Sequence, residues 1–363
     1  AQAILTPTIG EGHSKGSKAK CAMRPWILHL HERPITLVRF NHDGDFFLTC
    51  AKDGEVNLVR TENCERVGTY SPLGDKPGAV YAVDVTMDCT YVVTANADGK
   101  IVFYAFTGEV IRSVNHGGIC KFVEWNQKPG EQNKVVTCND KFKSGTEMNP
   151  NRIMVWEFDQ KRNGECRRLL SIDDALPMKA TKVKWGPHDE TLISIHEEGT
   201  FCVFDSISGE RLHLVQAHEK PVTSLNFSSD RMLMITSSKD QAAKLWTMDD
   251  YDCVKTYRTD RPLNDAAISP IFAAEEDAKL HVLLGGGQDA KDVTTTAGSS
   301  GKFEALLWHM VFEEELGQVK GGFGPLNALA WFPDGGGYVT GGEDGYVRVH
   351  TFDADYFTSK KFE

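Results

Sequence analysis

Five times along the chain a hydroxyl residue stands four places before an acid, and a large or apolar side chain stands six places after it. The sets are Thr49/Asp53/Val59, Thr94/Asp98/Tyr104, Ser194/Glu198/Phe204, Thr236/Asp240/Trp246 and Thr340/Asp344/His350. Thirteen residues before each acid stand Phe40, Val85, Trp185, Phe227 and Trp331, and the five sets superimpose without a gap. A register kept this strictly marks one supersecondary unit repeated, which leaves few folds open to the chain.

The spacing of the acids counts the units. Asp53 and Asp98 lie 45 residues apart and Glu198 and Asp240 lie 42 apart, whereas the other two intervals are 100 and 104. Each long interval is about two periods and should hold one degenerate copy. In the first, residues 119–125 read as a first strand and 134–137 as a second. A loop insertion at about 141–149 follows, and 153–156 resume the pattern. In the second, residues 263–268 and 280–284 read as strands, and an insertion at 285–301 delays the third strand to 303–308. Five clear copies and two degenerate ones make seven.

Within a unit the apolar period is two, as a strand requires: Thr36, Val38 and Phe40 should share a face, as should Thr223, Leu225 and Phe227. Asp-Gly or Glu-Gly follows the second strand at Asp53-Gly54, Asp98-Gly99, Glu198-Gly199 and Asp344-Gly345, which is the chemistry of a tight hairpin. Three or four short strands per repeat of this length describe a propeller blade. The seventh unit ends near Thr351 without an outer strand, while residues 26–30 read as an outer strand without a blade. The expectation is therefore an all-β, seven-bladed propeller closed by the N-terminal strand, which hides a sheet edge. Residues 1–22, small, polar and basic, read as a flexible extension; 23–353 form the propeller and 354–363 a C-terminal tail.

His31…Asp53-Gly54 and, more fully, His218…Asp240…Leu245-Trp246 resemble WD40 repeats. The resemblance implies a hydrogen-bonded tetrad of histidine, hydroxyl, acid and tryptophan inside the blade. Only the fifth unit supplies all four, as His218, Thr236, Asp240 and Trp246. Lys76, Leu176 and Gly322 depart from the pattern at the histidine place, and Val59, Tyr104, Phe204 and His350 at the tryptophan place.

Composition narrows the function classes. A net charge of −11, from 40 basic and 51 acidic residues, argues against a broad polyanion-binding surface and makes direct RNA contact an unfavoured reading. Nine scattered cysteines, odd in number and never in a Cys-x-x-Cys pair, suit a reducing compartment, and Cys50, Cys89, Cys138 and Cys202 fall on expected strands. No apolar run reaches membrane-spanning length, so a cytoplasmic chain without membrane contact is expected. Gly298-Ser-Ser-Gly-Lys302 has Thr296 where a phosphate loop needs its first glycine and Phe303 where it needs a hydroxyl. The pairs His29/His31 and His188/His196 lack a third ligand at useful spacing. Cys120 near His116 lacks an orienting acid, and Asn226-Phe-Ser228 is a glycosylation sequon placed in a strand. No catalytic residue, cofactor or metal site is expected. A catalytic triad would not be copied around a ring.

Several further segments carry a closer resemblance. They are Met23-Arg-Pro…His31-Glu-Arg-Pro-Ile-Thr, Thr259-Asp-Arg-Pro-Leu-Asn-Asp-Ala-Ala-Ile-Ser-Pro270, Leu284-Gly-Gly-Gly-Gln-Asp-Ala-Lys-Asp-Val-Thr-Thr-Thr296, Gly301-Lys-Phe-Glu-Ala305, Phe312-Glu-Glu-Glu-Leu-Gly317, Phe323-Gly-Pro-Leu-Asn327 and Gly341-Gly-Glu-Asp-Gly-Tyr-Val-Arg348. Together they resemble the i subunits of eukaryotic translation initiation factor 3, over about residues 23–357. That resemblance implies a non-enzymatic scaffold that binds the b subunit through its C-terminal helix, and the g subunit, and reaches the small ribosomal subunit through the complex. An acidic propeller suits a basic, amphipathic helix laid across its blades. Candidate contacts are Asp230, before the second strand of unit five, and Asp249, Asp250 and Asp252, after its third; solvated turn residues are the plainer reading of the same acids. The insertion 285–301 is read as packing against the edge of blade six. A receptor-kinase-associated WD40 scaffold and a propeller enzyme are the two other classes.

Overall fold

A computed structural model describes residues 25–71, 78–140, 142–144, 147–162, 164–173, 179–272, 274, 278–288 and 302–358. Seven four-stranded antiparallel sheets stand in sequence order as blades. Blade 1 comprises Ile35–Phe40, Phe46–Ala51, Val56–Arg60 and Arg66–Tyr70. Blade 2 comprises Val80–Val85, Tyr91–Asn96, Lys100–Ala105 and Val110–Asn115. Blade 3 takes Cys120–Trp125, Lys134–Asn139, Arg152–Asp159 and Glu165–Ile172. Blade 4 takes Ala180–Trp185, Thr191–His196, Thr200–Asp205 and Arg211–Gln216. Val222–Phe227, Leu233–Ser238, Ala242–Thr247 and Cys253–Arg258 form blade 5. Leu263–Ile268, His281–Gly286, Ala305–His309 and Glu315–Val319 form blade 6. Blade 7 has Leu326–Trp331, Gly337–Gly342 and Tyr346–Thr351, and Trp26–His29 pairs with the last of these, Trp26 opposite Val349 and His29 opposite Tyr346.

First strands line the axial channel and fourth strands face outward, so alternation gives two polarities of turn. First-to-second and third-to-fourth turns share one face, here the lower, where they are tied by bonds such as Met248 N to Met232 O at 3.1 Å. Second-to-third turns and the links between blades share the upper face, tied by bonds such as His218 N to Gly199 O at 2.8 Å. Four upper turns keep glycine at positive φ (Gly54, Gly99, Gly199, Gly345), whereas blade 5 holds Gln241 there at φ 69.

Packing is between blades. Phe103 of blade 2 stacks on Phe158 of blade 3 at 4.7 Å, and Trp125 meets both at 5.7 Å. All three are fully buried, and each such pair adds about 0.5–1.5 kcal/mol beyond area burial.

Four sequence expectations need correction. Strict alternation fails in every first strand, because the ladder slips after its first residue (between Ile35 and Leu37, and between Val222 and Ser224). The slip takes Thr36 and Thr223 out of the alternation, and their hydroxyls donate instead to the next blade, to Val80 O at 2.6 Å and Leu263 O at 3.0 Å. The insertion near 141–149 contains a two-stranded hairpin, Phe142–Ser144 with Glu147–Asn149, rather than an unstructured loop. Cys89 lies in a lower-face turn at φ 53, not in a strand. Gly285 and Gly286 belong to the second strand rather than to the insertion: a Cβ on Gly286 would lie 2.1 Å from Pro262 O, so close approach demands glycine there. Residues 1–22, Lys76, Leu176 and most of 285–301 lie outside the described residues. At the C-terminus a short helix, Ala354–Thr358, packs on the lower face; Tyr356 is buried, stacks on Phe352 at 3.9 Å and shares a hydrogen bond with His281 Nδ1 at 2.7 Å.

Candidate docking face and blade tetrads

In blade 5 the histidine enters from the upper link, Thr236 comes from the second strand, Asp240 from the turn that follows it and Trp246 from the third strand. Asp240 Oδ2 lies 2.9 Å from His218 Nδ1 and Thr236 Oγ1 lies 2.9 Å from His218 Nε2. Trp246 Nε1 donates to Thr236 Oγ1 at 2.9 Å. An ionised carboxylate only accepts, so Nδ1 carries the ring proton, Nε2 accepts from the threonine, and the threonine oxygen accepts from the indole. Burial pushes the Asp240 carboxyl up, but bonds from His218 and from the N–H groups of Glu219 and Ala242 outweigh it and hold it at about 2. The network joins the upper link to both inner strands and fixes the rotation of the indole.

Other blades keep parts of it. His31 of blade 1 bonds Asp53 and Thr49 at 2.9 Å each, and Asn57 Nδ2 lies 3.3 Å from its Nε2 where Val59 offers no indole. Blade 3 holds a chain that the sequence register hid: His116 Nε2 to Thr137 Oγ1 at 2.6 Å, and Trp156 Nε1 to the same oxygen at 3.0 Å. The separations are 21 and 19 residues against 18 and 10 in blade 5, because the inserted hairpin lengthens the path to the tryptophan. His116, weighed above beside Cys120, is thus a core residue, pushed down to about 4 by burial. In blade 7 Asp344 pairs with Arg348 at 2.6 Å, and His350 stacks on Tyr338 at 4.6 Å.

All four candidate contact acids emerge on the lower face of blade 5, and all are exposed. Asp230 sits in the first-to-second turn, which lines the lower channel mouth. Its Oδ1 accepts from Ser228 Oγ at 2.5 Å and Met232 N at 3.0 Å. Asp249, Asp250 and Asp252 occupy the third-to-fourth turn farther out, where Thr247 N donates to Asp252 O at 3.0 Å. The main-chain bond between Met248 and Met232 holds the two turns side by side. Exposed Met232 between them, and Val254 just beyond, give the acids apolar neighbours.

The channel wall carries a polar belt that sequence reasoning missed. Arg39 Nε donates to Asp84 at 2.9 Å and its Nη2 to Glu124 at 3.3 Å; Lys184 Nζ donates to Asn226 Oδ1 at 2.8 Å, and Asn226 Nδ2 to Asp265 at 3.0 Å. Burial lowers the Lys184 ammonium to about 7 and raises the Asp84 carboxyl. These carboxylates brace the ring by accepting main-chain N–H groups of neighbouring blades: Asp84 from Trp125, Glu124 from Trp185, Asp265 from Leu329. The signal was available, since Arg39, Asp84, Lys184 and Asn226 each immediately precede the register's first-strand marker. Asn226, the sequon residue, is spent in this belt.

Among the described residues no group of three histidines, cysteines or acids is arranged to hold a metal ion. Among them, too, no helix is long and apolar enough to cross a membrane. The family model described as EIF3I matches residues 23–363. Proteins called eukaryotic translation initiation factor 3 subunit I are similar along nearly the whole chain. That of Xenopus tropicalis is 39% identical over 351 residues, covering 92% of this chain and 98% of the relative. That of Schizosaccharomyces pombe is 38% identical over 341 residues, with 93% and 99% covered, and that of Homo sapiens 38% over 351, with 92% and 98% covered. With seven blades in place and similarity spanning both chains, the protein belongs to the family of i subunits of eukaryotic translation initiation factor 3.

Proposed function

We propose that this chain is a non-catalytic scaffold subunit of the cytoplasmic eukaryotic translation initiation factor 3 complex. The observation that carries the reading is end-to-end similarity to subunits of that name, on a ring whose conserved-spacing residues are spent on holding blades together. In this role it docks the C-terminal helix of the b subunit and the g subunit, and so supports assembly of the 43S pre-initiation complex and recruitment of mRNA. The lower face of blade 5 is the proposed contact for a basic amphipathic helix, with Asp230, Asp249, Asp250 and Asp252 meeting cations and Met232 and Val254 meeting the apolar stripe. Trp26–His29 is proposed as the strand that closes the ring, on the strength of its four-residue pairing with blade 7.

Mass spectrometry of proteins co-purifying at moderate salt, with sedimentation in small-subunit fractions, tests the scaffold role. Recovery of a receptor kinase without initiation subunits would favour the signalling reading instead. For the face, a pull-down of the b-subunit tail with Asp230→Lys should lose most of the bound tail at physiological salt. Unchanged capture would remove Asp230 from the interface.

A further inference from the structure

The polar belt of the channel holds one amine whose partner does not match its charge. Lys184, in the first strand of blade 4, is 5% exposed. It lines both the mid-channel cavity of about 360 Å3 and the lower one of about 590 Å3. Its Nζ donates to Asn226 Oδ1 at 2.8 Å and lies 5.9 Å from the centre of the Phe122 ring. The Asn226 amide is fixed in that orientation, because its Nδ2 donates to Asp265 Oδ1 at 3.0 Å and to Ala266 O at 2.8 Å. Lys184 therefore meets a neutral acceptor where a buried ammonium needs a carboxylate. Asp84 and Glu124, on the neighbouring first strands, are committed to Arg39 and to the main-chain N–H groups of Trp125 and Trp185. Among the described residues no carboxylate forms an ion pair with Lys184.

Arg231, from the first-to-second turn of blade 5, lines the same lower cavity. Its Nη1 donates to Trp185 O at 2.7 Å and its guanidinium lies 5.1 Å from the centre of the Phe227 ring. Among the described residues no carboxylate pairs with it either. Burial brings the Lys184 ammonium down to about 7, opposed by Glu124 and helped by the charges of Arg39, Lys182 and Arg231. An ordinary lysine titrates near 10.4, so at pH ~7.4 roughly one exposed lysine in a thousand is neutral, whereas most of Lys184 is. A neutral amine offers a lone pair, and the cations near it favour an anionic product. The site therefore selects an electrophile that is small and uncharged, to pass along the channel, and that becomes an anion when it reacts.

We propose that Lys184 is a modification site that takes up carbon dioxide from the channel as a carbamate. The Nζ lone pair attacks the carbon, an N–C bond forms, and one C=O π pair moves onto oxygen. Nζ then gives a proton to solvent, which leaves the carbamate anion and requires no oxidant or further reactant. The remaining N–H still donates to Asn226 Oδ1, and the two oxygens supply the anion that Arg231 lacks, adding an ion pair between blades 4 and 5. The test equilibrates the full chain with isotopically labelled bicarbonate and carbon dioxide at pH ~7.4, traps carbamates by O-alkylation with a trialkyloxonium salt, and maps the label by peptide mass spectrometry. Label at Lys184 should exceed label at exposed Lys128 at least about tenfold. Arg231→Gln should lower the Lys184 yield about threefold or more, in a protein that keeps the parent Tm. The mapping itself uses the unaltered chain, so it holds whether or not a variant folds. No label at Lys184, a yield no greater than at Lys128, or label that appears only above pH ~9, as for an exposed lysine, would overturn the proposal. An unchanged yield in folded Arg231→Gln would overturn it too.

Discussion

Replacing Thr236 by valine keeps the volume of the side chain and removes one oxygen that serves two buried partners. Trp246 Nε1 loses its acceptor at 2.9 Å and His218 Nε2 loses its donor at 2.9 Å. Stranding a buried polar group costs about 1–3 kcal/mol, so the pair should cost about 4 kcal/mol. Thr49→Val in blade 1 is the internal comparison. No indole is stranded there, because Val59 stands in its place, and the Asn57 amide at 3.3 Å remains to serve His31 Nε2. That change should cost about 1 kcal/mol. Unfolding entropy near 2.1 cal/mol/K per residue gives about 0.7 kcal/mol/K for a ring of about 330 residues. Scanning calorimetry should then show Tm falling by about 6 °C for Thr236→Val and by about 1–2 °C for Thr49→Val. Thr236→Ser, which keeps the oxygen, should fall between the two. Equal drops for the two valine variants would refute the argument that the shared hydroxyl, rather than blade packing, is what Thr236 contributes.

Further outcomes follow from the same geometry. Deleting residues 23–30 removes the strand opposite Tyr346–Val349 and the His29–Tyr346 stack at 4.7 Å; thermal melting should become broad or start well below that of the parent, and an unchanged Tm would defeat the closure proposal. Burial, with help from the Arg348 charge, lowers His350 to about 3, so its folded value lies below its unfolded value near 6.5. The unfolded chain then takes up the proton first, and stability present above pH ~6.5 is lost as pH falls toward 3. His350→Phe should flatten the decline of urea-unfolding free energy across that window. Gly286→Ala should cost at least ~2 kcal/mol in the same assay, since its Cβ would lie 2.1 Å from Pro262 O. Gln241→Gly should raise stability by about 0.5 kcal/mol, because the glycine removes the left-handed strain at φ 69 that exceeds its own entropic cost.

The ring was legible because its signal is repeated and local. Spacing between hydroxyl, acid and apolar residue is set inside one hairpin, so five copies could be superimposed with no knowledge of tertiary contacts. What depended on contacts between blades was not legible. The slip that turns Thr36 and Thr223 toward the next blade breaks a period-two reading that looked sound in each strand alone. The His116–Thr137–Trp156 chain escaped because the inserted hairpin stretches its spacing while leaving the three groups in contact. The acids of blade 5 could be read as turn residues, but only the antiparallel order of strands puts Asp230 and the Asp249–Asp252 turn on one face.

The residue just before the register acid, with its counterparts Asp140 and Gly287 in blades 3 and 6, shows how one repeat can serve structure and address together. Its N–H is committed in every blade, bonding the carbonyl that precedes the first strand, as Lys52 does to Pro34, Glu197 to Lys179, Lys239 to Pro221 and Glu343 to Pro325. Its side chain carries no such duty and varies: Lys52, Ala97, Asp140, Glu197, Lys239, Gly287, Glu343. Because the backbone holds all seven at equivalent places around the upper mouth, the string of side chains at this one position sets the charge pattern there without disturbing a blade. Lys52→Glu would therefore be expected to reverse a local charge at little cost to Tm, within about 0.5 kcal/mol for an exposed substitution. A large loss of stability would mean that the position is structural after all, and that the mouth is not free to vary.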